Sequence, residues 1–179
     1  MTSSKPHTNE QNNLGNGNLR FQRPVISIAS PSIELLNKIK ETGEVLHSFE
    51  IPYSVSIVAG HIATRKTLKY IDELESKGIE VIIACGIGSA HLPGMIASLT
   101  SIPVGIPMVS NHLGGIDCLF SMLEMPAGVP VATVGISSAH NAAIIACQIL
   151  SLKYTHLKEM MKSQSRLEQS LELEDNTIS

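Results

Sequence analysis

The chain has 179 residues, the length of one ordinary domain with a short extension at either end. Apolar residues make up 43%, enough for a sizeable core, whereas charged residues are only 16% and the net charge is −3. That balance, with no clustered basic patch, excludes a nucleic-acid binder; aromatics at 3% with no Trp exclude a base-stacking platform.

No apolar run approaches the ~18–20 residues that cross a bilayer, because Gly, Pro, Ser and His interrupt each candidate, so no membrane partner is expected. Residues 1–20 lack the apolar core of a signal peptide. Cys85, Cys118 and Cys147 form no close pair and read as reduced, buried thiols of a cytoplasmic protein. No His/Cys/Asp/Glu set has the spacing of a metal site, so none is expected. The charge is unevenly placed. No Lys or Arg occurs between Lys77 and Lys153, and the acids in that stretch are Glu80, Asp117 and Glu124.

Residues 1–23 are rich in Asn, Ser, Thr, Gln and Gly, a composition that cannot offset its ordering entropy and reads as a disordered lead-in. Residues 24–152 read as the folded domain. A β-branched run at 25–30 predicts a strand; Ser32 is a candidate N-cap, and the stripe from Ile33 to Leu46 predicts one helix. A strand at 53–58 and a helix at 64–76 closed by Gly78 follow. Next come a buried strand at 80–85, a short helix at 92–99 that Pro93 begins, and a strand at 104–108. A helix at 115–123, a strand at 131–136 and a helix at 140–152 complete the alternation. Five strand–helix units with nearly continuous apolar strands predict an α/β protein: a parallel sheet between two helical layers, an α/β/α sandwich. Residues 153–179 carry Leu157, Met160, Gln164, Leu167 and Leu171 three or four apart, one apolar stripe that docks on the domain or on a neighbouring subunit. From about Glu172 the tail reads as frayed.

Ligands of such sheets sit at the C-terminal ends of the strands, so the loops there are the candidate site. Of 13 glycines and 9 prolines, 12 lie within residues 84–130. The densest part is Cys85-Gly86-Ile87-Gly88-Ser89-Ala90-His91-Leu92-Pro93-Gly94. Glycine there permits positive φ and close approach of backbone to a ligand. The spacing is neither the dinucleotide fingerprint nor a Walker loop, which leaves a substrate-binding turn or a glycine turn without a ligand. His61, in Ala59-Gly60-His61 after the second strand, is a candidate proton carrier, or else a surface or core-satisfied histidine. His91 has the same two readings.

Taken in order, these loops resemble the PurE family, the carboxyaminoimidazole ribonucleotide mutases and aminoimidazole ribonucleotide carboxylases of purine synthesis. The likeness covers about residues 25–152. Its strongest block is Gly-x-Gly-Ser-Ala-His-Leu-Pro-Gly-Met at 86–95, similar to the family's Gly-Gly-Ala-Ala-His-Leu-Pro-Gly-Met. Leu-Gly-Gly-Ile-Asp-Cys-Leu-Phe-Ser around Asp117, Met-Pro-Ala-Gly-Val-Pro-Val at 125–131 and the segment from Asn141 to Leu150 match further family blocks. The resemblance implies a flavodoxin-like subunit assembled as a homo-octamer, with no metal or organic cofactor. It implies a reaction that moves a carboxyl group from nitrogen to carbon of the aminoimidazole ring through carbon dioxide held in the site. By the same resemblance, His61 shuttles the proton. Gly86, Gly88, Ser89, Ala90, His91 and Leu92 cradle the ring and carbon dioxide, and Ser30, Ser32 and Gly60 line the substrate. Two positions depart from the family pattern. Ile33 stands where an Asp grips the ribose, and Ile62 where an Arg grips the phosphate. Arg65, or Lys66, one helical turn after His61, is the candidate substitute cation. Three functions fit: the family reaction with a rearranged phosphate grip, a diverged (de)carboxylase of a less charged substrate, or a non-catalytic scaffold or ligand sensor.

Overall fold

The computed structural model describes residues 25–58, 64–101, 103–108 and 113–175. The predicted lead-in 1–23 lies outside these residues, as do Gly60, His61 and Ile62. In chain order the elements are β1 (Ile26–Ser30), α1 (Ile33–Lys38), α2 (Lys40–Ser48), β2 (Tyr53–Ile57), α3 (Thr64–Lys77) and β3 (Val81–Ile87). There follow α4 (His91–Ala97), β4 (Pro103–Met108), α5 (Ile116–Leu123), β5 (Ala132–Thr133), α6 (Ala139–Ser151) and α7 (Thr155–Asp175). The five strands form one sheet in the order β2-β1-β3-β4-β5, every pair parallel. This is the flavodoxin-like winding that the family resemblance implies.

Strands β1 and β3 are buried on both faces because helices cover both, whereas the edge strand β2 leaves Tyr53, Val55 and Ile57 exposed. Ile26 and Ile28 of β1, with Val81, Ile83 and Cys85 of β3, face a cluster built by Leu35, Leu46, Ala142, Ala146, Cys147 and Leu150 from α1, α2 and α6. The alternate residues Ala29, Ile82 and Ala84 meet Ile71 and Leu74 of α3 and Leu92 and Ile96 of α4 on the opposite side. Alpha-helix α5 adds a smaller cluster of Cys118 and Met122 against Ala90. The first part of the C-terminal stripe packs on this same domain: Leu157 of α7 is fully buried in the first cluster, with Met160 and Met161 packed against it. Glu80 Oε1 secures that arrangement, accepting from Lys153 Nζ at 2.8 Å and from the Tyr154 hydroxyl at 2.6 Å.

Several boundaries differ from those the sequence predicts. The stripe from Ile33 to Leu46 is two helices, broken at Ile39 (φ −112°, ψ 18°). Ile39 is 1% exposed, and the bend lets Leu35, Ile39 and Leu46 all enter one core cluster. Strand β3 continues through Gly86 and Ile87, because β4 supplies pairing partners as far as Met108. Alpha-helix α4 starts at His91, two residues before Pro93, since a proline at the third helical position forfeits only an N–H that has no intrahelical partner. Strand β5 keeps two residues of the predicted six; it is an edge strand, and beyond Thr133 the chain turns through Ser137 (φ 54°) into α6. The tail stays helical to Asp175, past Glu172.

Burial pushes three acids up. The Tyr70 hydroxyl goes from 10.0 to about 12 by desolvation, opposed by its hydrogen bond with Ser27 Oγ at 2.8 Å. Desolvation likewise lifts the thiols of Cys85 and Cys147 from 9.0 to about 12. The folded chain therefore keeps protons that the unfolded chain has released. Their stabilising contribution is fully present below pH 9 and is lost as pH rises to 12, from 9 for the two thiols and from 10 for Tyr70, by up to about 1.4 kcal/mol per pH unit for each group. Unfolding midpoints measured across that interval should fall steadily; a level profile would contradict this account.

Candidate functional site

Strand β1 lies between β2 and β3. The chain leaves it through α1 and α2 on one face, whereas it leaves β3 through α4 on the other. Where successive connections part to opposite faces, the C-terminal ends of the two strands leave a crevice. Here it has a volume of about 420 Å³ and is lined by Pro31, Ser32, Leu35, Cys85, Ile87, Ser89, His91 and Leu92.

The β1 side is held by its two serines. Ser30 is fully buried, and its Oγ donates to the Ser32 carbonyl at 2.8 Å. Ser32 Oγ caps α1 by accepting the Leu35 N–H at 3.3 Å, as its place before the helix predicts. Thus Ser32 faces the crevice, and Ser30 shapes the turn beneath it.

On the β3 side the two glycines have different reasons. Gly86 is a strand residue, and a Cβ there would lie 2.7 Å from Met122 Cε, 3.0 Å from the Ser89 carbonyl oxygen and 3.1 Å from Cys118 Sγ. Gly88 holds φ +59°, a conformation that L side chains rarely adopt. Beyond the turn, Ser89, His91 and Leu92 reach the crevice. Ala90 contributes backbone: its carbonyl accepts the Gly94 N–H at 2.7 Å, and its own N–H donates to Ser121 Oγ at 2.9 Å.

Among the described residues the lining includes no Lys, Arg, Asp or Glu, although the Asp117 carboxylate lies beside the turn, its Oδ2 3.7 Å from where a Cβ at Gly88 would sit. Its ionisable members are His91 and Cys85. Burial holds the Cys85 thiol up at about 12, with the Ser30 hydroxyl opposing, so it stays a neutral thiol near pH 7. His91 is the one imidazole among the described lining residues, the side-chain type most often used in proton transfer. Arg65, near the start of α3, is exposed and not part of this lining. Among the described residues no group of three or more His, Cys, Asp or Glu could hold a metal ion.

The structure therefore brings together Ser32, Ser89, His91 and Leu92 over the backbone of Gly86, Gly88 and Ala90. Pro31, Leu35 and Ile87 were not singled out by sequence. The signal for Leu35 is its place one turn after a capping serine, and for Ile87 its place between two glycines.

A family model described as AIR carboxylase matches residues 25–170. The N5-carboxyaminoimidazole ribonucleotide mutase of Pyrococcus horikoshii is 43% identical over 145 residues, covering 80% of this chain and 82% of that one. The phosphoribosylaminoimidazole carboxylase of Schizosaccharomyces pombe is 41% identical over 143 residues, which is 79% of this chain and 26% of that longer protein. Among solved structures, Treponema denticola PurE superposes with a TM-score of 0.74 at 24% identity, covering 87% of this chain and 98% of that chain, a likeness of fold.

Proposed function

The chain belongs to the AIR carboxylase family, and from that premise we propose that it is an enzyme of purine synthesis that transfers a carboxyl group on aminoimidazole ribonucleotide. The reaction takes place in the crevice between β1 and β3. One observation carries this reading: the family-like segment 86–95 supplies Ile87, Ser89, His91 and Leu92 to the lining of that crevice. The relatives' activities favour it over a less charged substrate or a non-catalytic scaffold.

The residues suit the chemistry. Breaking the bond between the exocyclic nitrogen and its carboxyl group releases carbon dioxide, and the amine takes a proton. The ring carbon then bonds to that carbon dioxide and gives up its own proton, so protons and charge balance. His61 carries the proton between the two positions, by its place in the family motif. Among the described residues the lining carries no formal charge, which favours loss of carbon dioxide from a desolvated carboxylate. Ser32 and the backbone of residues 86–91 hold the ring and carbon dioxide, with Gly60 beside His61. No metal or organic cofactor is required.

With Ile33 and Ile62 in place of the family's Asp and Arg, the phosphate needs another cation. Arg65, on the first turn of α3, is proposed for it, with Lys66 beside it. A charge-assisted hydrogen bond is worth about 1.5–3 kcal/mol. Arg65→Ala should therefore raise KM on the order of tenfold to a hundredfold with kcat little changed. An unchanged KM would acquit Arg65.

The working form is a homo-oligomer, an octamer by the family resemblance, in the cytoplasm. Alpha-helix α5 supports association: Ile116, Phe120 and Leu123 are 48–64% exposed along it, next to Leu113 at 61%. Light scattering on the eluting protein should give about eight times the 19.2 kDa chain mass; a monomer would contradict this.

The functional reading is tested by supplying purified protein with the N-carboxylated or C-carboxylated ribonucleotide, or with aminoimidazole ribonucleotide and bicarbonate. Interconversion above the spontaneous rate is expected. Its absence in a folded, correctly assembled preparation would remove the reading.

A further inference from the structure

We propose that Cys118 and Ser121 of α5 are positioning residues for the reaction, clamping the two ends of the peptide unit between Ser89 and Ala90. This rests on the reading that residues 86–91 form the reaction site.

The carbonyl of Ser89 and the N–H of Ala90 belong to one rigid plane. Ser121 Oγ accepts that N–H at 2.9 Å, and Cys118 Sγ donates to that carbonyl at 3.7 Å. Residues three apart on a helix share a face, so one side of α5 reaches both ends of the plane. The thiol is a weak donor and the hydroxyl contact the strong one. Ala90 is 1% exposed and stands at the N-cap of α4 with a side chain that cannot cap. Without Ser121, its N–H would be a buried donor lacking an acceptor.

The surroundings leave the plane little room. Any Cβ at Gly86 would press on both the Ser89 carbonyl and Cys118 Sγ, so strand, turn and helix meet with no space for a methyl group. The clamped plane lies between Ser89 and Ala90, immediately before His91. Tilting it would swing Ser89 and His91, both of which line the crevice. Cys118 and Ser121 are absent from that lining, so they act through the turn.

The test uses the full-length protein and two readouts. In Ser121→Ala, kcat per folded molecule should fall on the order of tenfold to a hundredfold, more than KM changes, because small misplacements of reacting groups cost that much. Ser121→Thr, which keeps the hydroxyl, should recover most of the loss, and Cys118→Ala should show a smaller one. The second readout is hydrogen exchange of the Ala90 amide, which should accelerate in Ser121→Ala and not in Ser121→Thr. If Ser121→Ala fails to fold, Ser121→Cys, which replaces the hydroxyl with a much weaker acceptor at similar volume, is read in its place with the same expected and contradicting results. Unchanged kcat in folded Ser121→Ala would overturn the positioning role, and unchanged Ala90 exchange in that variant would overturn the clamp whatever the substrate. If wild-type protein does not act on the ribonucleotides while Ala90 exchange still accelerates in Ser121→Ala, the functional reading fails and the clamp stands.

Discussion

Replacing His61 with Asn is expected to lower kcat by about 10²–10⁴-fold, the usual contribution of a positioned proton carrier, with little change in KM or in the unfolding midpoint. Asparagine keeps a comparable shape and hydrogen-bonding edge but cannot take up and return a proton. The described lining supplies one other side chain suited to that task, His91, since burial keeps the Cys85 thiol protonated. The pair of substitutions therefore divides the roles. With His61 as the carrier, His61→Asn removes the turnover and His91→Asn mainly weakens binding or orientation. If His61→Asn keeps most of its rate and His91→Asn loses it, the proton assignment belongs to His91.

The largest structural effect is expected at Gly86. A valine there places a Cβ 2.7 Å from Met122 Cε and 3.0 Å from the Ser89 carbonyl oxygen, with two further methyl groups to accommodate. Met122 is flexible, but the carbonyl is backbone and cannot move without turning the Ser89–Ala90 plane. Overpacking of this kind costs about 1–3 kcal/mol. Gly86→Val should lower the unfolding midpoint and also abolish turnover in the molecules that remain folded. A variant that unfolds earlier but works normally below its transition would show that the turn tolerates displacement and that its fixed shape is not needed.

The alternation of apolar strands and helices was enough to specify a parallel α/β/α sandwich, because a strand buried on both faces must be apolar on both. Where sequence misplaced boundaries, the deciding term was tertiary. Ile39 has ordinary helical neighbours, and only the need to bury it beside Leu35 and Leu46 breaks the helix there. The end of β3 was set by pairing with β4, which local glycine content concealed. Strand β5 looked as apolar as the others, yet an edge position and the turn through Ser137 leave it two residues.

The site was legible to the same degree. The turn 88–92 and the cap at Ser32 followed from spacing, since glycine and capping residues act locally. The Ser30 hydroxyl donates to the Ser32 carbonyl, a local turn contact that residue type alone does not specify. That the missing side chain of Gly86 makes room for Met122 and Cys118 of α5 depends on tertiary packing that local glycine content does not reveal. Ser121 was beyond reach of spacing, because it touches Ala90 across 31 positions of chain.

The central claim is that the crevice between β1 and β3 receives a phosphorylated aminoimidazole, although Ile33 and Ile62 stand where the family has Asp and Arg. Calorimetric titration of the assembled protein with aminoimidazole ribonucleotide tests it most directly. The account predicts saturable binding of one ribonucleotide per chain, weakened by Arg65→Ala. Absence of binding to a folded oligomer, or binding unchanged when Ser32 and Ser89 are both replaced by bulky residues, would contradict it.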